Sequence, residues 1–480
     1  MKALSFFAHL EYTTRDPCER KCLCGMKHSA KHNTELILHG NLIRAILSIA
    51  IPVVINSFLQ TLYNLTDTYW LGQIGTEPLA AINLVSPLQS IVLNFGSGVT
   101  VAGAVMIAQY IGARREQEAK KIANQIFVVA MAFSVVCAAI LALCTPWIVQ
   151  WLGASGETYR HSVSYLRIVI LDMPFLYMVN IYQATRQAQG DTLRPMLLNL
   201  LGISLNLIFD PLLMVVIPLG AAGAALATVL AKMCPALIAL HLLTRQQEPI
   251  HLERRLMRPD GPSLRNIVRI GLPTALGGSV MQLGFLLMSR NVLVYGVDAM
   301  AAYGIGNKVN GLITLPSTGI SSAVSTIVGQ NMGAGQPQRA EKGYRLSMLG
   351  IVAFLFLGGR ILSLPSVSTA IVSVFADDPA VIAMAADFLA TMAFWCFTNG
   401  MHDCTCGLFQ GTGHTEIPMA VNVTRLWVLR FATLWFCESV LGLGVRSIWF
   451  SVVVSNGISA GILVVLYLMG IWRKPRFKVK

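Results

Sequence analysis

Asn206 and Asp210 stand one helical turn apart in LGISLNLIFDPLLMVVI, a stretch that is otherwise almost wholly apolar. Residues at i and i+4 share one face of a helix, so the amide and the carboxylate point the same way. Pro211 follows the acid directly. It removes a backbone hydrogen bond, can bend the helix, and frees a carbonyl toward the same face. Asp67, in NLTDTYWLGQIG, and Thr228, in GAALATVL, sit in comparably apolar surroundings. Burying a carboxylate in a bilayer costs several kcal/mol unless it is paired, solvated or protonated. Two carboxylates, an amide oxygen and a hydroxyl suit a hard cation such as Na+. The same carboxylates could instead share one proton, because like charges at close range disfavour double ionisation. A purely structural alternative pairs Asp67 and Asp210 with a buried cation such as Lys232. There is no Walker A sequence and no nucleophile motif, so neither ATP coupling nor an enzyme is expected, and no cofactor.

The elements that carry these groups read as membrane helices. The chain is 55% hydrophobic and only 12% charged, with a mean hydropathy of +0.62. So few charges cannot cover a soluble protein of 480 residues. Apolar runs at 43–71, 82–111, 122–151, 163–189, 195–217 and 220–243, then 267–295, 303–331, 345–375, 382–410, 417–441 and 445–472, are each long enough to span the hydrocarbon core. Helices are expected because lipid satisfies no open backbone group, and the alternating strands of a β-barrel are missing. The net charge of +13 lies mostly between these runs, the pattern of the positive-inside rule rather than of nucleic-acid binding. Alternate loops are basic, as at Arg114, Arg115, Lys120 and Lys121, and their opposites carry Glu77, Glu157, Asp298, Asp377 and Asp378. This places both termini in the cytoplasm and the chain, multi-pass, in the cell (inner) membrane. The tail holds Cys18, Cys22, Cys24, His28 and His32, whose spacing matches no familiar zinc pattern. A plainer reading starts translation at Met26, with residues 1–25 upstream.

The chain repeats itself. At an offset of 221, Gln109, Gly112 and Ala113 match Gln330, Gly333 and Ala334; at 223, Gln187, Gly190, Thr192 and Pro195 match Gln410, Gly413, Thr415 and Pro418. The domains are then a tail 1–42, a bundle 43–243, a cytoplasmic linker 244–266, a bundle 267–472 and a basic tail 473–480. Six helices per half make the repeat parallel, about an axis along the membrane normal, which suits alternating access. The repeat also provides an internal control. Asp67 maps to Met288, Asn206 to Leu429, Asp210 to Thr433 and Thr228 to about Val452. The polar set belongs to the first bundle alone.

This six-plus-six duplication resembles the multidrug and toxic compound extrusion (MATE) transporters. So do AQYIGARREQEA, GQNMGAGQPQRA, QGDTLRPM and QGTGHTEIPM, and the likeness covers roughly residues 40–472. Within the family, NLTDTYWLGQIG and NLIFDP resemble the DinF-type branch. The resemblance implies an all-α fold of twelve helices in two bundles. It also implies export of organic, cationic or amphipathic compounds, driven by inward flow of H+ or Na+. In that pattern the positions of Asp67, Asn206, Asp210 and Thr228 line the coupling-cation site. Asn180 in the fourth helix is a supporting member, and Pro52 matches a proline at which the first helix is proposed to bend. The partners implied are small-molecule substrates and membrane lipid, with no nucleic acid, and a monomer is expected.

Asn399, His402 and Asp403 make a second polar face in the tenth helix. In the NorM-type branch that helix carries an acid at the position of Asn399, so the chain departs from it there. His402 and Asp403 are either a second coupling or substrate site or a local hydrogen-bonded pair. Arg290, Lys308, Arg360 and Arg430 lie in or near apolar runs and are expected to snorkel to an interface. Any that faced the cavity would suit zwitterionic or anionic substrates. Asp172 and Arg167 are expected to pair. The alternative function is a flippase for a lipid-linked precursor, which would more often carry central arginines and more than twelve helices.

Overall fold

The computed structural model describes residues 32–74, 76–217, 219–474 and 476. The tail cysteines and His28 lie outside them. The first half contains α1 (Leu42–Ile74), α2 (Thr76–Gly112), α3 (Glu116–Trp151), α4 (Gly156–Val169, then Met173–Ala188), α5 (Leu193–Pro211) and α6 (Gly220–Thr244). The second contains α7 (Gly261–Leu293), α8 (Val297–Gly333), α9 (Pro337–Leu362), α10 (Pro379–Phe394, then Phe397–Gly411), α11 (Glu416–Val423, continued to Ser439) and α12 (Arg446–Leu468). Among the described residues, ten helices are long and apolar enough to cross a membrane, and the two pieces of α10, bent by 52°, make an eleventh. The twelfth position is filled by α11, which a π-helical segment, Thr424–Arg430, divides. The chain is the expected all-α twelve-helix architecture.

The interruptions have local causes. Pro174 opens the second piece of α4 just after a 3-10 turn, Ile170–Asp172, because its ring nitrogen cannot donate to the preceding turn. Pro211 ends the regular part of α5, and a π segment, Leu212–Val216, follows at once. Pro52, by contrast, sits inside an uninterrupted α1. Two spans differ from expectation. Pro365 starts a separate short helix, Pro365–Val372, where 345–375 reads as one rod. α7 begins at Gly261 rather than 267, because Asp260 caps it by accepting from the Ser263 N–H at 3.1 Å.

Each half has its own buried core, and the outer surface is rich in exposed Leu, Ile, Val and Trp, as a lipid-facing surface must be. The halves meet through α2 against α7, α8 against α1, and α2 against α8. The linker lies under the first bundle. Gln125 of α3 donates to the carbonyls of Leu256 and Arg258, both at 2.7 Å, and Arg186 of α4 forms a buried two-pronged ion pair with Glu248 at 2.8 Å. On this same linker face a short tail helix, 32–38, touches both halves. Its Asn33 donates to the Gly190 carbonyl at 3.2 Å, and Arg339 of α9 donates to the Ile37 carbonyl at 3.0 Å.

Candidate functional site

Helical spacing builds the polar pocket of the first bundle. Gln60, Tyr63, Asn64 and Asp67 recur at three- and four-residue steps and so share one face of α1. Asn199, Asn206 and Asp210, seven and then four residues apart, share one face of α5, and Thr228 and Lys232 share one face of α6. Asp67 and Thr228 line a cavity of about 190 Å³, and Asn206 and Thr228 line a neighbouring one of about 80 Å³. Tyr63, Thr228 and Lys232 are walls of both. Asp210 lines neither cavity; it is buried, 1% exposed, within electrostatic reach of Asp67. Four of the residues singled out from the sequence, Asp67, Asn206, Asp210 and Thr228, are thus brought together.

This pocket is short of partners. Asn206 Nδ2, Asn206 Oδ1 and Asp210 Oδ1 are buried and make no well-formed hydrogen bond among the described residues, although the Asn206 amide stands near enough to act on the Asp210 carboxylate. A buried polar atom left unmatched costs about 1–3 kcal/mol, so a group that completes this set would be bound with that advantage. Tyr63 was not singled out from the sequence. It stands within reach of both carboxylates and of the Thr228 hydroxyl, and its place four residues before Asp67 was the available signal.

The alternative in which Lys232 pairs with Asp67 and Asp210 does not form: its ammonium is ion-paired with Asp172, while remaining within electrostatic reach of Asp67. Asp172 therefore does not pair with Arg167, which is exposed. The angular positions of α4 and α6 decide this, since Asp172 lies in the 3-10 turn that faces α6. Asn180 lines a cavity of about 280 Å³ between the halves, with Gln183, Gln187, Ser322, Ser325 and Gln410, and is not among the residues that line the two cavities at Asp67 and Asn206.

Below that cavity the halves are latched on the linker face by repeated residues. Gln109 donates to the Gly411 carbonyl at 2.8 Å, and its repeat partner Gln330 donates to the Ala188 carbonyl at 2.7 Å. Both glutamines are buried. Gly112 and Gly333 allow this approach: a Cβ on Gly112 would fall 1.8 Å from the Gln330 carbonyl oxygen, and one on Gly333 would fall 1.9 Å from that of Gln109. Two further equivalent bonds brace the ends, Thr192 to the Ile49 carbonyl at 3.0 Å and Thr415 to that of Ile270 at 2.5 Å.

In the second bundle, His402 is buried with Nδ1 3.1 Å from Asp403 Oδ1, and Asn399 accepts from Asn456 Nδ2 at 3.0 Å. Arg290, Lys308 and Arg360 are exposed. Arg430 does not snorkel; it is 4% exposed and donates to Ser455 and Asn456.

The family model MatE matches residues 52–212 and 273–436, one stretch in each half. The chain belongs to the MatE family. It is a membrane transporter rather than an enzyme. A curated relative, the probable multidrug resistance protein NorM of Thermotoga maritima, is 25% identical over 445 residues, covering 90% of this chain and 93% of the relative. The multidrug export protein MepA of Staphylococcus haemolyticus is 24% identical over 375 residues, covering 78% and 82%. A crystal structure of MATE in complex with MaL6 superposes with a TM-score of 0.86 at 23% identity, covering 92% of this chain and 98% of that one. That likeness bears on the fold.

Proposed function

We propose that this MatE protein is a secondary active antiporter that exports small organic, cationic or amphipathic compounds, driven by inward flow of H+ or Na+. The relatives named as multidrug proteins support the cargo class. The unpartnered Asn206 amide and Asp210 oxygen, buried beside Asp67, carry the coupling assignment. A cation or proton supplies what these atoms lack, and the repeat-equivalent Met288, Leu429 and Thr433 offer no such site. Asn180 belongs in this reading to the cargo cavity rather than to the ion site. The basic linker face is cytoplasmic, and the chain works as a monomer in the cell membrane.

The transport cycle follows from this arrangement. With the linker face latched through Gln109 and Gln330, the protein faces outward and Asp67 and Asp210 take up H+ or Na+. Occupancy changes the spacing of α1 and α5, with bending near Pro52 and Pro211, and the cargo leaves. The loaded protein then opens inward. The ion drives the cycle only through its different affinity for the two states. Dye efflux from proteoliposomes, with ΔpH and ΔNa+ imposed separately, tests this and identifies the ion. Coupled efflux that survives in the Asp67→Asn, Asp210→Asn double variant would refute it.

A further inference from the structure

The second bundle holds a charged cluster of opposite sign. Arg425 and Arg430 lie five residues apart, spanning the π segment of α11. In an α-helix of about 3.6 residues per turn, residues five apart point about 140° away from each other. The i→i+5 turn of a π segment brings them toward one side, and such segments recur at functional sites. The two guanidiniums accordingly act on one another. At the repeat offset of 223 they map to Gly202 and Leu207, so the scaffold does not require them.

Neither has an ionic partner within 4 Å among the described residues. Arg430 donates only to neutral groups, Ser455 Oγ at 3.3 Å and Asn456 Oδ1 at 3.1 Å. Arg425 Nε is buried without a hydrogen-bond partner among the described residues. The one carboxylate acting on Arg425, Asp403, is committed to His402 Nδ1 at 3.1 Å. Two guanidiniums in a membrane interior against one shared carboxylate leave an uncompensated positive charge, which is costly. Arg430 is enclosed, but Arg425 is half-buried and the Asp403 side chain is 33% exposed, so the cluster can be reached from the Arg425 side.

We infer that Arg425 and Arg430 form a binding site for an oxyanion group, the carboxylate of a transported zwitterion or the phosphate of a bilayer lipid. The inference rests on the export reading for its cargo but not for its chemistry. A planar guanidinium binds such groups through paired, charge-assisted hydrogen bonds.

The test uses the purified full chain and two dyes that differ only by a methyl ester, rhodamine 110 (free carboxylate) and rhodamine 123 (ester). Binding is read by fluorescence polarisation with no gradient present. Arg425→Gln should weaken the free acid by about tenfold or more and leave the ester within about twofold, while Arg425→Lys retains much of the difference. Retained ester binding reports an intact fold, and Arg430→Gln serves if Arg425→Gln does not fold. In a second arm, native mass spectrometry follows phosphatidylglycerol carried over from mixed vesicles; its loss in Arg425→Gln, with no discrimination between the dyes, assigns the site to a lipid phosphate. Equal losses for both dyes, or no change for either dye or the lipid, overturn the site. A chain that selects the acid through Arg425 yet moves neither dye in liposomes keeps the site and sinks the export reading.

Discussion

Gly112→Ala should unlatch the linker face. The added Cβ would stand 1.8 Å from the Gln330 carbonyl oxygen, where real Cβ contacts essentially never fall under 3.0 Å. The obstacle is backbone, so α2 and α8 must part by roughly 1.2 Å. Gln330 bonds Ala188 of α4 and Gln109 bonds Gly411 of α10, so with each half moving as a body a separation of that size carries the 2.7 Å and 2.8 Å bonds across the boundary out of hydrogen-bonding range. Each buried amide left unmatched costs about 1–3 kcal/mol, so the closed form loses about 2–6 kcal/mol. At about 1.4 kcal/mol per tenfold, the closed-to-open ratio falls roughly 30-fold to 10⁴-fold. The better helix propensity of alanine applies in both states and cancels. The assay is labelling of Ser322→Cys, which lines the cavity above the latch, in a cysteine-free background. A membrane-impermeant maleimide applied from the linker face should label the Ala variant far faster than its parent, while efflux slows. Gly333→Ala should behave alike, because its Cβ meets the Gln109 carbonyl at 1.9 Å. Parental labelling and parental efflux in either variant would show that this crossing is not a gate.

Asn206→Leu installs the residue of the repeat-equivalent helix; thermal stability should be kept or raised, since two unmatched buried atoms are removed, while ion-driven efflux is lost. Glu248→Ala strands the buried Arg186 guanidinium and should cost about 3–5 kcal/mol in thermal or denaturant unfolding, with Arg186→Met added to it recovering most of the loss. Burial pushes the Glu248 carboxyl up, but the hydrogen bonds and charge of Arg186, with the charges of Arg194 and Arg245, outweigh it and hold the group below the usual carboxylate range. Its folded value lies below its unfolded one, so its stabilisation is full above the unfolded pKa and is lost as pH falls through the folded value. Melting curves taken downward from about pH 7 should therefore show an acid-side loss in the parent that is smaller in Glu248→Ala.

The helices and the repeat were legible because a bilayer imposes length and apolarity on every span, and those are properties of composition. Asp67, Asn206, Asp210 and Thr228 were legible for a related reason: a polar group is conspicuous where lipid penalises it. What escaped was angular. Lys232 reaches Asp172 rather than Asp67 because a 3-10 turn in α4 aims Asp172 at α6. Asn180, beyond that same turn, looks out at the boundary between the halves. Arg425 was missed because α-helical spacing separates it from Arg430, and only the π segment joins them. Gln109 and Gly112 were visible as repeated letters, but the carbonyls they meet belong to the opposite half, about 300 residues away for the Gln109 bond.

On the export reading, the latch and the ion site are joined by two helices. Thr192, at the start of α5, holds the Ile49 carbonyl of α1 at 3.0 Å. Asp67 and Asp210 stand farther along those same two helices, beyond Ile49 and Thr192. Ala188, four residues before Thr192, receives the Gln330 bond that closes the face. A change in the separation of α1 and α5 at the carboxylates is therefore delivered along α5, unbroken from Leu193 to Asp210, to the turn after the latch acceptor Ala188, while α1 takes up its share of the motion near Pro52. The latch itself is nearly two-fold, with equivalent glutamines, glycines and carbonyls, so one bond cannot lengthen without the crossing that supports the other giving way. An ion bound in one bundle alone can then open both sides of a symmetric closure, which explains why the acids need not be duplicated although the latch is.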